Sequence, residues 1–403
     1  MKIKNVFLLF PLFAFYLANS QETKENPFTT KWDNGFKIEN ADKSISMKFG
    51  GRLMYDYGFF SLNNEAEANG YTLFSNNGNE FRRARLFTSG TIYSNVDFKL
   101  QIDFAGGEIV LKDAFITIKK LPVVGNFRLG HFKEPYRLES LTSSKYITFM
   151  ERALPINVIP ERNSGFMIFN DFANKKMSWQ IGLFRGADKA TSDSPEANGD
   201  YALTSRLTGL AVNNGKTLLH LGVSHSYRKP QEDKSFGYSV RPEVHISDKY
   251  IITNIEGVKN VNLLNFEAAL VAGSFSLQGE FSKANVISSI KDQTFNSYYT
   301  QASYFLTGEK RNYKSSYDGF DRVKPNKNFG ESGSGALELA LRYSFIDGMN
   351  DDKMSNVTAG LNWHLNPATR VMANYVISNV KNNTQFSGEG QFNAFQMRFQ
   401  IDF

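Results

Sequence analysis

Phe392-Asn393-Ala394-Phe395-Gln396-Met397-Arg398-Phe399-Gln400-Ile401-Asp402-Phe403 closes the chain. Counted back from the end, Phe403, Ile401, Phe399, Met397 and Phe395 share one side. Asp402, Gln400, Arg398 and Gln396 share the other. A strand sends successive side chains to opposite faces, so this run has one apolar face and one wet face. Its length suits a tilted crossing of a bilayer's hydrocarbon core. It reads as a wall strand of a closed outer-membrane barrel.

The alternation recurs upstream. Val96, Phe98, Leu100, Ile102 and Phe104 oppose Asp97, Lys99, Gln101 and Asp103. Leu337, Leu339, Leu341, Tyr343 and Phe345 oppose Glu338, Ala340, Arg342 and Ser344, and Val357 to Leu365 repeats the pattern. It is weaker in 162–170 and 369–380. The 36 Phe and 18 Tyr suit aromatic girdles at the two membrane interfaces. Lys2 and Lys4, the apolar run Val6–Leu17 and the small residues Ala18-Asn19-Ser20 read as an export signal over 1–20, cleaved before Gln21. Beyond it no window is apolar enough for a transmembrane helix, so the expectation is either a β-barrel or a soluble exported β-rich protein. The chain has no cysteine, which excludes disulfides and thiolate metal sites. None of the five histidines has zinc-site spacing. The net charge of +6 is a mild basic bias, suited to anionic solutes or to lipopolysaccharide.

A polar leader, expected to be periplasmic, spans 21–43, and the barrel is expected over 44–403. About seventeen segments look like strands, but single-chain bacterial barrels have an even number and periplasmic termini. Counting back from Phe403 and forward from Ser44 agrees only if 228–259 holds no wall strand. That demotes 236–246 to a long extracellular loop and leaves about sixteen strands in an all-β, antiparallel transmembrane barrel. The same count places 308–334 on the periplasmic side, where long connections are unusual. Either this segment folds into the lumen or one strand is miscounted. The connection 133–161 is too apolar for a solvated coil, with Leu138, Ile147, Phe149 and Met150, and is expected to pack inside the barrel.

Residues 130–152 read Gly-His-Phe-Lys-Glu-Pro-Tyr-Arg-Leu-Glu-Ser-Leu-Thr-Ser-Ser-Lys-Tyr-Ile-Thr-Phe-Met-Glu-Arg. This run resembles the phosphate-selective porin O and P family. So do Phe81-Arg82-Arg83-Ala84-Arg85-Leu86, Lys112-Asp113-Ala114-Phe115 and Arg241-Pro242-Glu243. The resemblance covers most of the mature chain. It implies a sixteen-stranded, trimeric outer-membrane porin of a Gram-negative bacterium, with inward-folded loops and a long periplasmic connection.

An anion pore needs fixed positive charge at its constriction. Arginine stays protonated and offers a donor fork that matches phosphate oxygens. If Leu86 and Ile92 face lipid, Arg83 and Arg85 face the lumen and Arg82 is undecided. Lys99 shares a face with Asp103, and Arg128, Arg206, Arg342 and Arg398 sit among polar alternates that could form a basic ladder. The resemblance implies a constriction pairing lysine and arginine with an aspartate. Lys133 and Asp103 are the candidates, with Arg137 and Arg152 completing the ring. The aspartate would accept a hydrogen bond from a protonated phosphate oxygen, which chloride cannot supply. The opposing reading is a general or mixed-solute pore, in which Glu134, Glu139 and Glu151 cancel nearby bases. An outer-membrane barrel enzyme would need a His–carboxylate cluster with a nucleophile or water, and none is evident. Gly50-Gly51 and Gly106-Gly107 read as turns or bends rather than phosphate loops. No cofactor and no nucleic-acid partner is expected.

Overall fold

The computed structural model of the protein describes residues 26–158, 161–185, 200–230, 235–330 and 332–403. The expected export signal, 1–20, lies outside these residues, as does the first part of the leader. Sixteen antiparallel strands make the wall. The first eight are β1 (Ser46–Leu62), β2 (Asn77–Ile92), β3 (Val96–Asp103), β4 (Val110–Leu121), β5 (Gly125–Lys133), β6 (Arg162–Phe172), β7 (Met177–Phe184) and β8 (Tyr201–Asn213). The others are β9 (Thr217–Lys229), β10 (Val258–Ala272), β11 (Phe275–Ser288), β12 (Gln293–Phe305), β13 (Ala336–Asp347), β14 (Lys353–Asn366), β15 (Thr369–Asn382) and β16 (Gly388–Asp402). Each pairs with its chain neighbours. β16 returns to β1, from Asp402 opposite Arg52 to Phe392 opposite Leu62, so the sheet is closed. Closure gives the backbone donors and acceptors of every wall strand a partner, which hydrocarbon demands.

The period-two pattern explains the two faces. Leu339, Leu341, Tyr343, Leu361, Phe399 and Ile401 are exposed on the outer surface, while Arg342, Ser344, Thr358, Arg398 and Asp402 are buried in the lumen. Gly50 and Gly51 are not bends; they lie inside β1 at the closing seam. Gly51 N donates to Phe403 O at 2.6 Å, and Phe403 N donates back to Gly51 O at 3.1 Å. A Cβ on Gly50 would stand 2.4 Å from Phe403 O, and one on Gly51 would meet the Phe403 ring. The seam needs glycine because the closing backbone and the last aromatic occupy that space.

One end of the barrel carries the short turns 93–95, 122–124, 173–176, 214–216, 273–274 and 367–368, with the single long connection 306–335. The other end carries the longer loops, which makes it extracellular by the usual asymmetry. At the short-turn end two strands, Phe28–Trp32 and Phe36–Asn40, form a hairpin that pairs with Ser46–Phe49 of β1. The segment 236–246 adds nothing to the wall. Phe236–Val240 pairs with Ile251–Ile255 in a separate ribbon within the extracellular loop 230–257.

Three connections fold into the lumen. Residues 134–161 cross it, burying Leu138, Ile147, Phe149, Met150 and Leu154. From the opposite end 306–335 enters, with a small hairpin of Asn312–Ser315 and Gly319–Asp321. Of the two alternatives for 308–334, the chain takes the inward fold. The segments meet where Phe320 N donates to Thr142 Oγ1 at 3.4 Å and Arg322 reaches the Tyr146 hydroxyl at 3.2 Å. Glu243, from the loop 230–257, is the third intruder.

Candidate functional site

The crossing loop is fixed by arginines of the far wall. Arg370 donates to Ile147 O at 2.9 Å, and Arg342 donates to Glu151 O at 3.0 Å. Arg398 donates to Met150 O and binds Asp56 through Nε and Nη2, each at 2.6 Å. Asn362 donates to Thr148 O at 2.8 Å. Arg342 also pairs with Glu243, which accepts from Leu154 N at 3.1 Å. Each contact satisfies a loop carbonyl, amide or carboxylate that would otherwise be stranded away from water. Arg206, Arg342 and Arg398, expected among a basic ladder, are therefore struts. Arg206 is buried on Glu267 and Ser316 O.

With the loop held against that wall, open space remains beside β1–β7. A cavity of about 640 Å³ lies toward the periplasmic end, between Asp33, Lys48 and the fold-back hairpin. Its lining carries twelve basic side chains against five acidic ones. A second cavity, of about 240 Å³, lies toward the extracellular end beneath Arg241 and His245, with six basic and three acidic side chains. Arg85, Arg152 and Glu161 line both cavities and so stand where the two adjoin, the place taken below as the narrowing.

The charges there form a chain. Glu161 Oε1 faces Arg162 Nη1 at 3.0 Å, Lys133 Nζ at 3.2 Å and Arg152 Nη2 at 3.5 Å. Arg162 also holds Asp113 at 2.9 Å, and Asp113 holds Lys99 at 2.7 Å. Burial alone would raise the Glu161 carboxyl, but Arg162, Arg152 and Lys133 outweigh it and hold it well below the usual range. Glu161 Oε2 has no hydrogen-bond partner among the described residues.

Six of the eight sequence candidates reach these cavities. Arg85 and Arg152 line both; Lys99, Arg128 and Lys133 line the larger; Arg83 lines the smaller. Lys133 spends part of its donor capacity on the loop, at Ser140 O and, at 3.4 Å, Leu141 O and Thr142 O. Asp103 and Arg137 line neither cavity. Asp103 clamps Arg85 Nε at 2.6 Å and accepts from Ala84 N at 3.1 Å. Arg137 stands at φ 69° and pairs with Glu280 at 3.3 Å, a buried anchor for the loop's first turn.

Two β-bulges add residues that alternation alone leaves out. Met54 pairs with Arg83 and Tyr55 with Phe81, so Arg82 is an extra residue. Phe81 turns to lipid while Arg82 joins Arg83 inside and grips Glu151 at 2.7 and 2.9 Å. Likewise Gln101 pairs with Asp113 and Ile102 with Leu111, which frees Lys112 to line the smaller cavity while Asp113 lines the larger. Arg52, Arg162, Glu161 and Lys145 also line the larger cavity. For Arg52 the missed signal is continuity of β1: Arg52, Met54 and Asp56 alternate inward through the two glycines.

Residues 47–403 match the family described as phosphate-selective porin O and P. The chain belongs to that family. Porin O of Pseudomonas aeruginosa is 26% identical across 96% of this chain and 95% of its own length. An uncharacterised protein of Caulobacter vibrioides is 29% identical across 94% of this chain and 78% of its own. The barrel is similar to the anion-selective porin from Comamonas acidovorans, with a TM-score of 0.57 at 13% identity, covering 89% of this chain and all of that one. This member of the porin O and P family is thus an outer-membrane porin. Among the described residues no group of His, Asp and Glu is placed to hold a metal ion.

Proposed function

We propose that this porin passes small anions, inorganic phosphate above all, by passive diffusion through the two cavities beside β1–β7. The observation that carries the reading is the narrowing at Arg85, Arg152 and Glu161, set in a lining where bases outnumber acids twelve to five. A narrow channel of low dielectric magnifies such fixed charge. Residues 133–161 act as the constriction loop. Arg83, Arg85, Lys99, Arg128, Lys133 and Arg152 attract the anion, with Arg52 and Arg162 beside them. Glu161 takes the acceptor role expected of Asp103, since Glu161 lines both cavities while Asp103 lines neither and has both oxygens occupied. A phosphate carrying a proton can donate to Glu161; chloride cannot.

Single-channel recording under a salt gradient tests the charge preference, and a reversal potential of the cation-selective sign overturns it. Added millimolar phosphate should depress the chloride current. In Glu161→Gln chloride current should rise and phosphate should block less well; unchanged block removes Glu161 from recognition. The same proposal takes residues 1–20 as a cleaved signal, 21–43 as a periplasmic leader, three copies as the assembly and lipopolysaccharide as the outer neighbour. Amino-terminal sequencing and the mass of the detergent complex check the first and third.

A general anion pore without phosphate preference is the second reading. It is favoured by the sharing of Glu161 and Asp113 among several bases, which lowers the net field at the narrowing. Phosphate block decides between them.

A further inference from the structure

The two cavities differ in more than size. Phe87, Phe115, Phe132, Tyr146, Tyr317 and Phe320 line the larger, periplasmic-side cavity. Among the described residues, no Phe, Tyr or Trp lines the smaller one. A bare inorganic anion gains little from ring faces, whose outer charge is negative. The rings surround one cation in particular. The Arg128 guanidinium carbon lies 4.2 Å from the centroid of Phe115, 5.2 Å from Phe169 and 5.4 Å from Phe132. Arg128 Nε donates to Thr117 Oγ1 at 2.9 Å, and no carboxylate pairs with it among the described residues. Its two Nη groups have no hydrogen-bond partner among those residues. Stacking and the Thr117 bond fix the guanidinium plane while leaving the donor fork unused, beside an apolar wall.

Resting on the anion reading above, we propose that the larger cavity holds a subsite for organic oxyanions, in which the Arg128 fork takes the oxyanion and the ring-lined wall takes a flat or apolar group attached to it. Aryl phosphate monoesters are the fitting class. An unpaired, preorganised guanidinium matches two phosphate oxygens. A cavity of about 640 Å³ is within the range of small-molecule sites. A solute entering from outside reaches it after the narrowing, so the subsite favours the organic ester where the inorganic ion has no further contact to gain.

The test compares phenyl phosphate with methyl phosphate as blockers of chloride current in planar bilayers, each added to either side. The two esters share the charged group and differ in the ring. Phenyl phosphate should block at concentrations about tenfold lower, the order expected of one well-placed aromatic contact. That advantage should vanish in Phe115→Leu and in Arg128→Gln. Heat-dependent gel mobility shows whether each variant has folded. Equal block by the two esters in the native protein, with anion preference intact, overturns the subsite and leaves the anion pore standing. A cation-selective reversal potential takes down both.

Discussion

The two halves of the lumen are both rich in arginine, and they use it in opposite ways. Along β8–β16, Arg206, Arg342, Arg370 and Arg398 are buried, and each donates through at least two guanidinium nitrogens to carboxylates, side-chain amides or loop carbonyls that hold other segments. Along β1–β7, Arg52 and Arg128 have no ion-pair partner among the described residues, and several bases share each of Glu161 and Asp113. Counting arginines therefore does not locate the pore. On the proposed reading, what locates it is the local balance of cations against acceptors. A saturated arginine is scaffold, and an unsaturated one keeps its field for the solute.

The largest effect expected from breaking this contrast is at Arg398. Arg398→Met removes both bonds to Asp56, the 2.9 Å pair with Glu151 and the bond to Met150 O. Stranding a buried carboxylate costs about 3 kcal/mol or more. The temperature of the gel mobility shift should fall clearly. The crossing loop should also loosen, so single-channel conductance should rise and become noisy. A variant as heat-stable and quiet as the native protein would show that Arg398 is not a strut.

Arg52→Gln makes the opposite prediction on the other half. Arg52 donates to Ser144 Oγ at 2.8 Å and leaves no carboxylate orphaned when neutralised. Stability should change by about 1 kcal/mol or less, the net worth of a typical hydrogen bond. The reversal potential, in contrast, should move toward zero. If both substitutions changed stability alike and neither moved the reversal potential, the division of the lumen would collapse.

The direction of Arg398 was legible because alternation needs only the strand's own residues. Its use as a strut was not, since Asp56 and Met150 O arrive from other parts of the chain. Strand number followed from parity for the same local reason, and parity could pose but not decide the path of 308–334. The loop 133–161 declared its burial through Leu138, Ile147, Phe149 and Met150. The bulges at Arg82 and Lys112 were hidden because an extra residue breaks the very period used to assign faces. Glu161 and Asp113 gain their meaning only from the cations that the fold gathers around them.

The smallest expected effect concerns pH. Lys145 sits on the crossing loop, lines the larger cavity and faces Asp402 at 3.1 Å. Burial brings its ammonium down to about 8, against the pull of Asp402 and with the help of the nearby Arg52 and Arg322 cations. The group is charged below that pH and neutral above it, so the lining loses one positive charge as pH rises from about 7 to 9. Anion preference should decline modestly across that window and not fall on the acid side of it. Glu161, held well below the usual carboxylate range, stays ionised throughout. In Lys145→Arg the charge persists at every pH of the experiment, and the decline should disappear. A decline that survives the substitution would assign it to some other group. A flat profile in the native protein would mean that Lys145 contributes no field to the pore, which would move it from the unsaturated half of the lumen to the scaffold.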